Sequence, residues 1–273
     1  MNIVSWEFLL FSCAVVILYF IVPKKFQGIV LLLSNILFYS FAGILYLGYM
    51  LVISLATFLG ALFLEKVAAS GKTQISNADT AEEKKTIKEK IISKKKQITA
   101  MAIVLSMGIW VVLKYTNFFI ENINIVLDFL KVNASVSQLS FILPLGISFY
   151  TFHAVGYLVD VYRNKYPAER NYAKYVTFIS YFPHIVQGPF SRYDELGKSI
   201  NEEHPFSYDR LCTGCARMLW GFFKKIVVAD KIGIAATTIF ADSEQYSGVY
   251  MMFAMFAYGI QLYADFSSAN NQP

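Results

Sequence analysis

Ile44-Leu-Tyr-Leu-Gly-Tyr-Met-Leu-Val-Ile-Ser-Leu-Ala-Thr-Phe-Leu-Gly-Ala-Leu-Phe-Leu64 runs for 21 residues without a charge. A hydrocarbon core of about 30 Å needs about 20 mostly apolar residues in a helix. This stretch has that length, and it is bounded on its far side by Glu65 and Lys66. Further apolar blocks occur on both sides of it: Trp6 to Val22, Phe26 to Ala42, Ile98 to Phe119, Leu139 to Val161 and Val249 to Phe266. Composition agrees, with 56% hydrophobic and only 16% charged residues in 273, where an average globular chain carries about a quarter charged. A soluble enzyme, a disulfide scaffold and a disordered tail are excluded. The expected fold class is all-α, a polytopic membrane helical bundle of about seven or eight membrane elements.

Charge orients the spans. The net charge is +5, and the polar segment 65–96 alone carries nine lysines against five acids. Cytoplasmic loops are enriched in Lys and Arg, so 65–97 reads as a cytoplasmic basic connector. The same parity puts Pro23-Lys24-Lys25 and the cluster Arg163, Lys165, Arg170 and Lys174 inside, and Glu121 to Gln138, with its one basic residue Lys131, outside. The N-terminus is expected to be extracytoplasmic and the first span uncleaved, because a signal peptide has its basic residues first. The protein is expected in the cell membrane as a multi-pass chain. The excess charge is local, so it is an orientation signal and not a nucleic-acid footprint. Thr80-Ala-Glu-Glu83 fits a capping box and predicts a helix through Ile87, Ile91 and Lys94-Lys95-Lys96 into the fourth span.

The pattern becomes irregular beyond residue 170. Tyr175 to Val186 is apolar but too short to span, and Pro183 and Gly188-Pro189 break it. Such backbone is tolerated at membrane depth only where protein or a water-filled cavity receives its freed polar groups. A re-entrant or broken helix is expected there. Tyr208 to Ile234 mixes Arg210, Arg217, Lys224, Lys225, Asp230 and Lys231 with apolar residues and reads as interfacial.

Polar residues within spans are costly and face a bundle interior or a water-filled cavity. Tyr150, His153, Tyr157 and Asp160 fall at i, i+3, i+7 and i+10, an arc of about 80° at 100° per residue. Tyr258, Gln261 and Asp265 repeat the i, i+3, i+7 spacing, and His184 and Gln187 sit one turn apart on the broken segment. These nine residues are the candidate lining of a polar tunnel or cleft. Interhelical hydrogen bonding also puts polar groups on one face, and Asp160 also has Arg163 at i+3 as a potential partner. Cys212 and Cys215 form a C-x-x-C without a second pair of ligands, so no metal site is expected; they read as two small residues of a packed helix. No Walker A, G-x-S-x-G or H-E-x-x-H motif is present. The residues alone leave three readings open: an enzyme, a transporter or lipid-handling protein using the cavity without chemistry, and an envelope scaffold.

Four blocks resemble those of the membrane-bound O-acyltransferase family, in the family's order. They are Leu143-Pro-Leu-Gly-Ile-Ser-Phe-Tyr-Thr-Phe-His-Ala-Val-Gly-Tyr-Leu-Val-Asp-Val-Tyr-Arg163, Tyr181-Phe-Pro-His-Ile-Val-Gln-Gly-Pro-Phe-Ser-Arg-Tyr193, Leu219-Trp-Gly-Phe-Phe-Lys-Lys-Ile-Val-Val-Ala-Asp-Lys231 and Gln261-Leu-Tyr-Ala-Asp-Phe-Ser267. The resemblance is nearest to the bacterial alginate O-acetylation and D-alanyl transfer branch. It implies a ring of helices around a tunnel. It also implies passage of an acyl group from a cytoplasmic donor, acyl-CoA or an acyl carrier protein, to a hydroxyl of an exported glycan or an extracytoplasmic acyl-accepting protein. No bound cofactor is implied. Relatives often carry Gln where His153 and His184 stand, so neither inherits a catalytic role. The family's catalytic histidine lies downstream of the Asp-Phe-Ser block, and Ser267-Ser-Ala-Asn-Asn-Gln-Pro273 departs from the pattern. The implied reading of 1–273 is a single domain cut short at its C-terminus, as a truncated product, a fragment or a frameshifted gene, with little or no transferase activity of its own.

Overall fold

A computed structural model describes residues 5–132, 136–137, 139, 146–187, 191–242 and 245–269. Among these residues all regular structure is helical. In chain order the helices are α1 (Trp6–Ile21), α2 (Gln27–Ala42), α3 (Ile44–Ser76), α4 (Ala81–Phe129), α5 (Ile147–Tyr162), α6 (Tyr172–Ile179), α7 (Phe182–Gln187), α8 (Lys198–Asn201), α9 (Tyr208–Phe223), α10 (Asp230–Ala241) and α11 (Gly248–Ala269). Two π-helical turns, Tyr193–Gly197 and Lys224–Ala229, lead into α8 and join α9 to α10. The chain divides into two compact units: one takes in α2 to α8, the other α1 and α9 to α11.

Two of the described helices are long and apolar enough to cross a membrane, α3 with 33 residues and α4 with 49. Only 17% of the apolar window of α4 is buried inside the protein, the reverse of a soluble core helix. Such a surface needs lipid around it, and the protein is a membrane protein. Helices α1, α2 and α5 have 16 residues each, about 24 Å at 1.5 Å per residue. Helix α11 has the length, at 22 residues, but Gln261, Asp265 and two serines lower its apolarity.

The segment 65–96 is helical on both sides of a turn at 77–80. Helix α3 continues past its apolar stretch to Ser76, because Ala, Lys and Glu are good helix formers and a charge does not end a helix. The chain turns at 77–80, and Thr80 caps α4 as expected: its hydroxyl accepts from the Glu83 N–H while the Glu83 carboxylate accepts from the Thr80 N–H, both at 3.4 Å. The two helices form a long antiparallel hairpin in which Gly71 faces Ile91. A β-carbon at 71 would overlap the Ile91 side chain, with Cγ1 at 2.8 Å. Gly71→Ala is therefore expected to cost about 1–3 kcal/mol in thermal melts of detergent-purified protein, and Ile91→Ala in the same chain should recover part of it.

Other boundaries move for physical reasons. Helix α4 runs on to Phe129 through residues expected in an outside loop, since nothing between Glu121 and Phe129 stops a helix. The fifth helix begins at Ile147, after Gly146 in a left-handed conformation (φ +68°); residues 140–145 of the expected span lie outside the described residues. The apolar segment 175–186 is two helices, and its break comes at Ser180-Tyr181, upstream of Pro183, which sits in the first turn of α7 where a missing N–H is harmless. The Gly188-Pro189 break lies outside the described residues. Cys212 and Cys215 are free and exposed on α9, not packed.

Candidate functional site

The break between α6 and α7 is held by a residue of α2. Buried Asn35 donates its amide to the Thr177 carbonyl at 3.2 Å and accepts the Phe182 N–H at 3.1 Å. One side chain thus satisfies an orphan acceptor near the end of one helix and an orphan donor at the start of the next. Helix α3 fixes α6 from another side, through Thr57 to the Tyr175 hydroxyl at 2.7 Å and Ser54 to the Tyr172 hydroxyl at 2.9 Å. Asn171 caps α6 by accepting from the Ala173 and Lys174 N–H groups.

This scaffold sets His184 on α7 beside the polar face of α5. The two imidazoles, of His153 and His184, are both buried, with ring centroids 6.2 Å apart. Ser191 bridges them: its N–H donates to His153 Nε2 at 3.2 Å, and its hydroxyl lies 3.2 Å from His184 Nδ1. His153 therefore carries no proton on Nε2 while this bond is made. A histidine–serine–histidine array of this kind can relay a proton or orient a hydroxyl. Ser191 belongs to the block Tyr181–Tyr193, but no spacing rule singles it out.

Further along α5 the stripe is occupied by defined partners. The Tyr157 hydroxyl accepts the Glu169 N–H at 2.8 Å. Its ring packs with those of Tyr175 (4.6 Å) and Tyr193 (5.0 Å). Asp160 pairs with Lys165 at 2.7 Å and Arg192 at 3.6 Å, and not with Arg163. Tyr150 is wholly buried one turn before His153. Gln187 is in α7, and its side chain lies outside what the structure describes. Tyr150, His153, Tyr157, Asp160 and His184 thus fall in one unit.

Tyr258, Gln261 and Asp265 belong to the other unit. Asp265 pairs with Lys225 at 2.8 Å, and Lys225 also reaches Asp230 at 3.1 Å. Gln261 lies against Gly233, where a β-carbon would come within 2.7 Å of its amide nitrogen. Tyr258 is 46% exposed, with an edge contact to Phe240. No three His, Cys, Asp or Glu among the described residues come together as a metal site.

Glu169 closes the loop between α5 and α6. Burial alone would push its carboxyl up, but hydrogen bonds from the Asn171 N–H, the Tyr193 hydroxyl and the Arg170 N–H, with Lys174 nearby, hold it below the usual carboxylate range. These bonds are 2.9, 2.7 and 2.9 Å. A carboxyl depressed on folding contributes stability above its unfolded value of 4.5 and loses it as pH falls through the lower folded value. Melting temperature is therefore expected to fall as pH drops below about 4.5, and Glu169→Gln should flatten that part of the profile.

No family model matches the chain. Over 251 residues, 92% of the chain, it is 30% identical to the probable alginate O-acetylase AlgI of Azotobacter vinelandii, of which the match covers 45%. The chain is a homologue of bacterial O-acetylases. Against the probable alginate O-acetylase AlgI of Pseudomonas aeruginosa the identity is 36% over 154 residues, 56% of the chain and 29% of that protein. Against the peptidoglycan O-acetyltransferase of Helicobacter pylori it is 27% over 180 residues, 56% of the chain and 33% of that protein. This kinship bears out the resemblance to membrane-bound O-acyltransferases drawn from the four blocks. The chain spans less than half the length of these relatives.

Proposed function

We propose that these residues form part of a membrane-bound O-acyltransferase. On this reading it passes an acyl group, acetyl or D-alanyl, from a cytoplasmic donor, acyl-CoA or an acyl carrier protein, toward a hydroxyl of an exported cell-envelope polysaccharide. The observation that carries the proposal is kinship with an alginate O-acetylase along 92% of the chain. The polar face of α5 and the buried His153–Ser191–His184 array suit a path for a polar group through an apolar bundle. Tyr150, His153, Tyr157, Asp160 and His184 are then part of its lining, within a multi-pass domain of about seven or eight membrane elements. The basic clusters on one parity support an extracytoplasmic N-terminus in the plasma membrane. The resemblance assigns the catalytic role to no residue among these 273.

The test compares membranes of cells carrying the full-length protein with membranes of a deletion strain. Labelled acetyl-CoA and labelled D-alanine with its carrier are supplied in separate arms, and base-labile label in envelope polysaccharide is counted. Protein-dependent label in either arm is expected. Its absence from both, together with protein-dependent solute uptake that needs no acyl donor, would overturn the reading in favour of a transporter.

A further inference from the structure

Tyr39 of α2 lies one turn beyond Asn35, and Tyr150 of α5 lies one turn before His153, so both stand on the helix faces that build the site. Each is wholly buried. Their rings are 6.4 Å apart between centroids and meet nearly edge to face, at 69°. Neither phenolic hydroxyl meets a hydrogen-bond partner among the described residues. A buried hydroxyl left unbonded bears its full desolvation cost, while phenylalanine would fill the same space without one. Two neighbouring tyrosines in this state point to a partner that the described residues do not supply.

The surroundings restrict what that partner is. Tyr39 and Tyr150 share their core cluster with Met50, Ile53, Ile147 and Ala154, none of which carries a charge to balance an anion. A phosphate or carboxylate there would be an unpaired buried charge. A neutral oxygen with lone pairs and no proton to place matches two O–H donors. We propose that Tyr39 and Tyr150 form a two-donor site for a neutral carbonyl oxygen, that of the acyl group in transit. The assignment rests on the acyltransferase reading; the site itself rests on the two buried hydroxyls.

In the full-length protein, Tyr39→Phe and Tyr150→Phe, singly and together, remove the hydroxyls and keep the rings. Two quantities are measured in cells and in detergent: ester content of the envelope polysaccharide per folded protein, and melting temperature. The expected result is a loss of ester of about tenfold or more with melting temperature unchanged or raised. Unchanged ester overturns the proposal and assigns the hydroxyls to a buried water. A fall in melting temperature in both variants also overturns it, because the hydroxyls are then bonded within the protein. If the wild type yields no ester, the acyltransferase reading fails by itself. Melting temperature then decides the site: a rise in both variants retains a two-donor site for a neutral oxygen, and no rise removes it.

Discussion

Asn35→Leu is expected to destabilise the protein by about 2–4 kcal/mol. Leucine fills nearly the same volume, so the cost does not come from a cavity. It comes from leaving the Thr177 carbonyl and the Phe182 N–H, which Asn35 bonds at 3.2 and 3.1 Å, without partners in a buried place. In water those groups would recover solvent bonds; beside the rings of Phe38 and Phe182, 5.5 Å apart, they do not. Hydrogen exchange should show the loss first at the Phe182 amide, and only weakly in the α3–α4 hairpin. Because α7 carries His184, the array at Ser191 should loosen with it, and any acyl transfer by the full-length protein should fall further than the folded fraction does. A change in stability within about 0.5 kcal/mol, the range of ordinary surface substitutions, would mean that the break between α6 and α7 is held by something else.

Lys225→Met carries the second large effect. One ammonium lies between Asp265 at 2.8 Å and Asp230 at 3.1 Å. Removing it leaves two carboxylates facing each other in a half-buried site, at a cost of about 2–4 kcal/mol once partial solvent access is allowed for. Adding Asp265→Leu should restore most of the loss, since breaking a pair is worse than replacing it. Melts of the two single variants and the double variant form the cycle that measures this. If the double variant were as unstable as the sum of the singles, the pair would not be coupled.

The sequence made some of this legible and hid the rest for physical reasons. The charge-free run 44–64 announces a span because a charge inside it would be costly. The Thr80–Glu83 cap is readable because its partners are three residues apart. The polar face of α5 is readable because a helix advances 100° per residue. Asn35 gives no such signal: one asparagine in an apolar helix has partners 142 and 147 positions away. Ser191 and Tyr39 are silent for the same reason. The continuation of α3 to Ser76 is hidden in the sequence because polar residues end a helix's contact with lipid without ending the helix.

The π-helical turn at Lys224–Ala229 carries a consequence of another kind. Adjacent residues of an ordinary helix diverge by 100°, yet Lys224 and Lys225 both reach α11, bonding Ser267 and Asp265. A turn one residue wider than its neighbours acts as a phase shifter: everything from Asp230 onward is rotated relative to α9. A side-chain pattern counted without interruption from Tyr208 to Ala241 falls out of step there. Shortening the turn by one residue would re-aim the whole of α10 without altering a single one of its side chains.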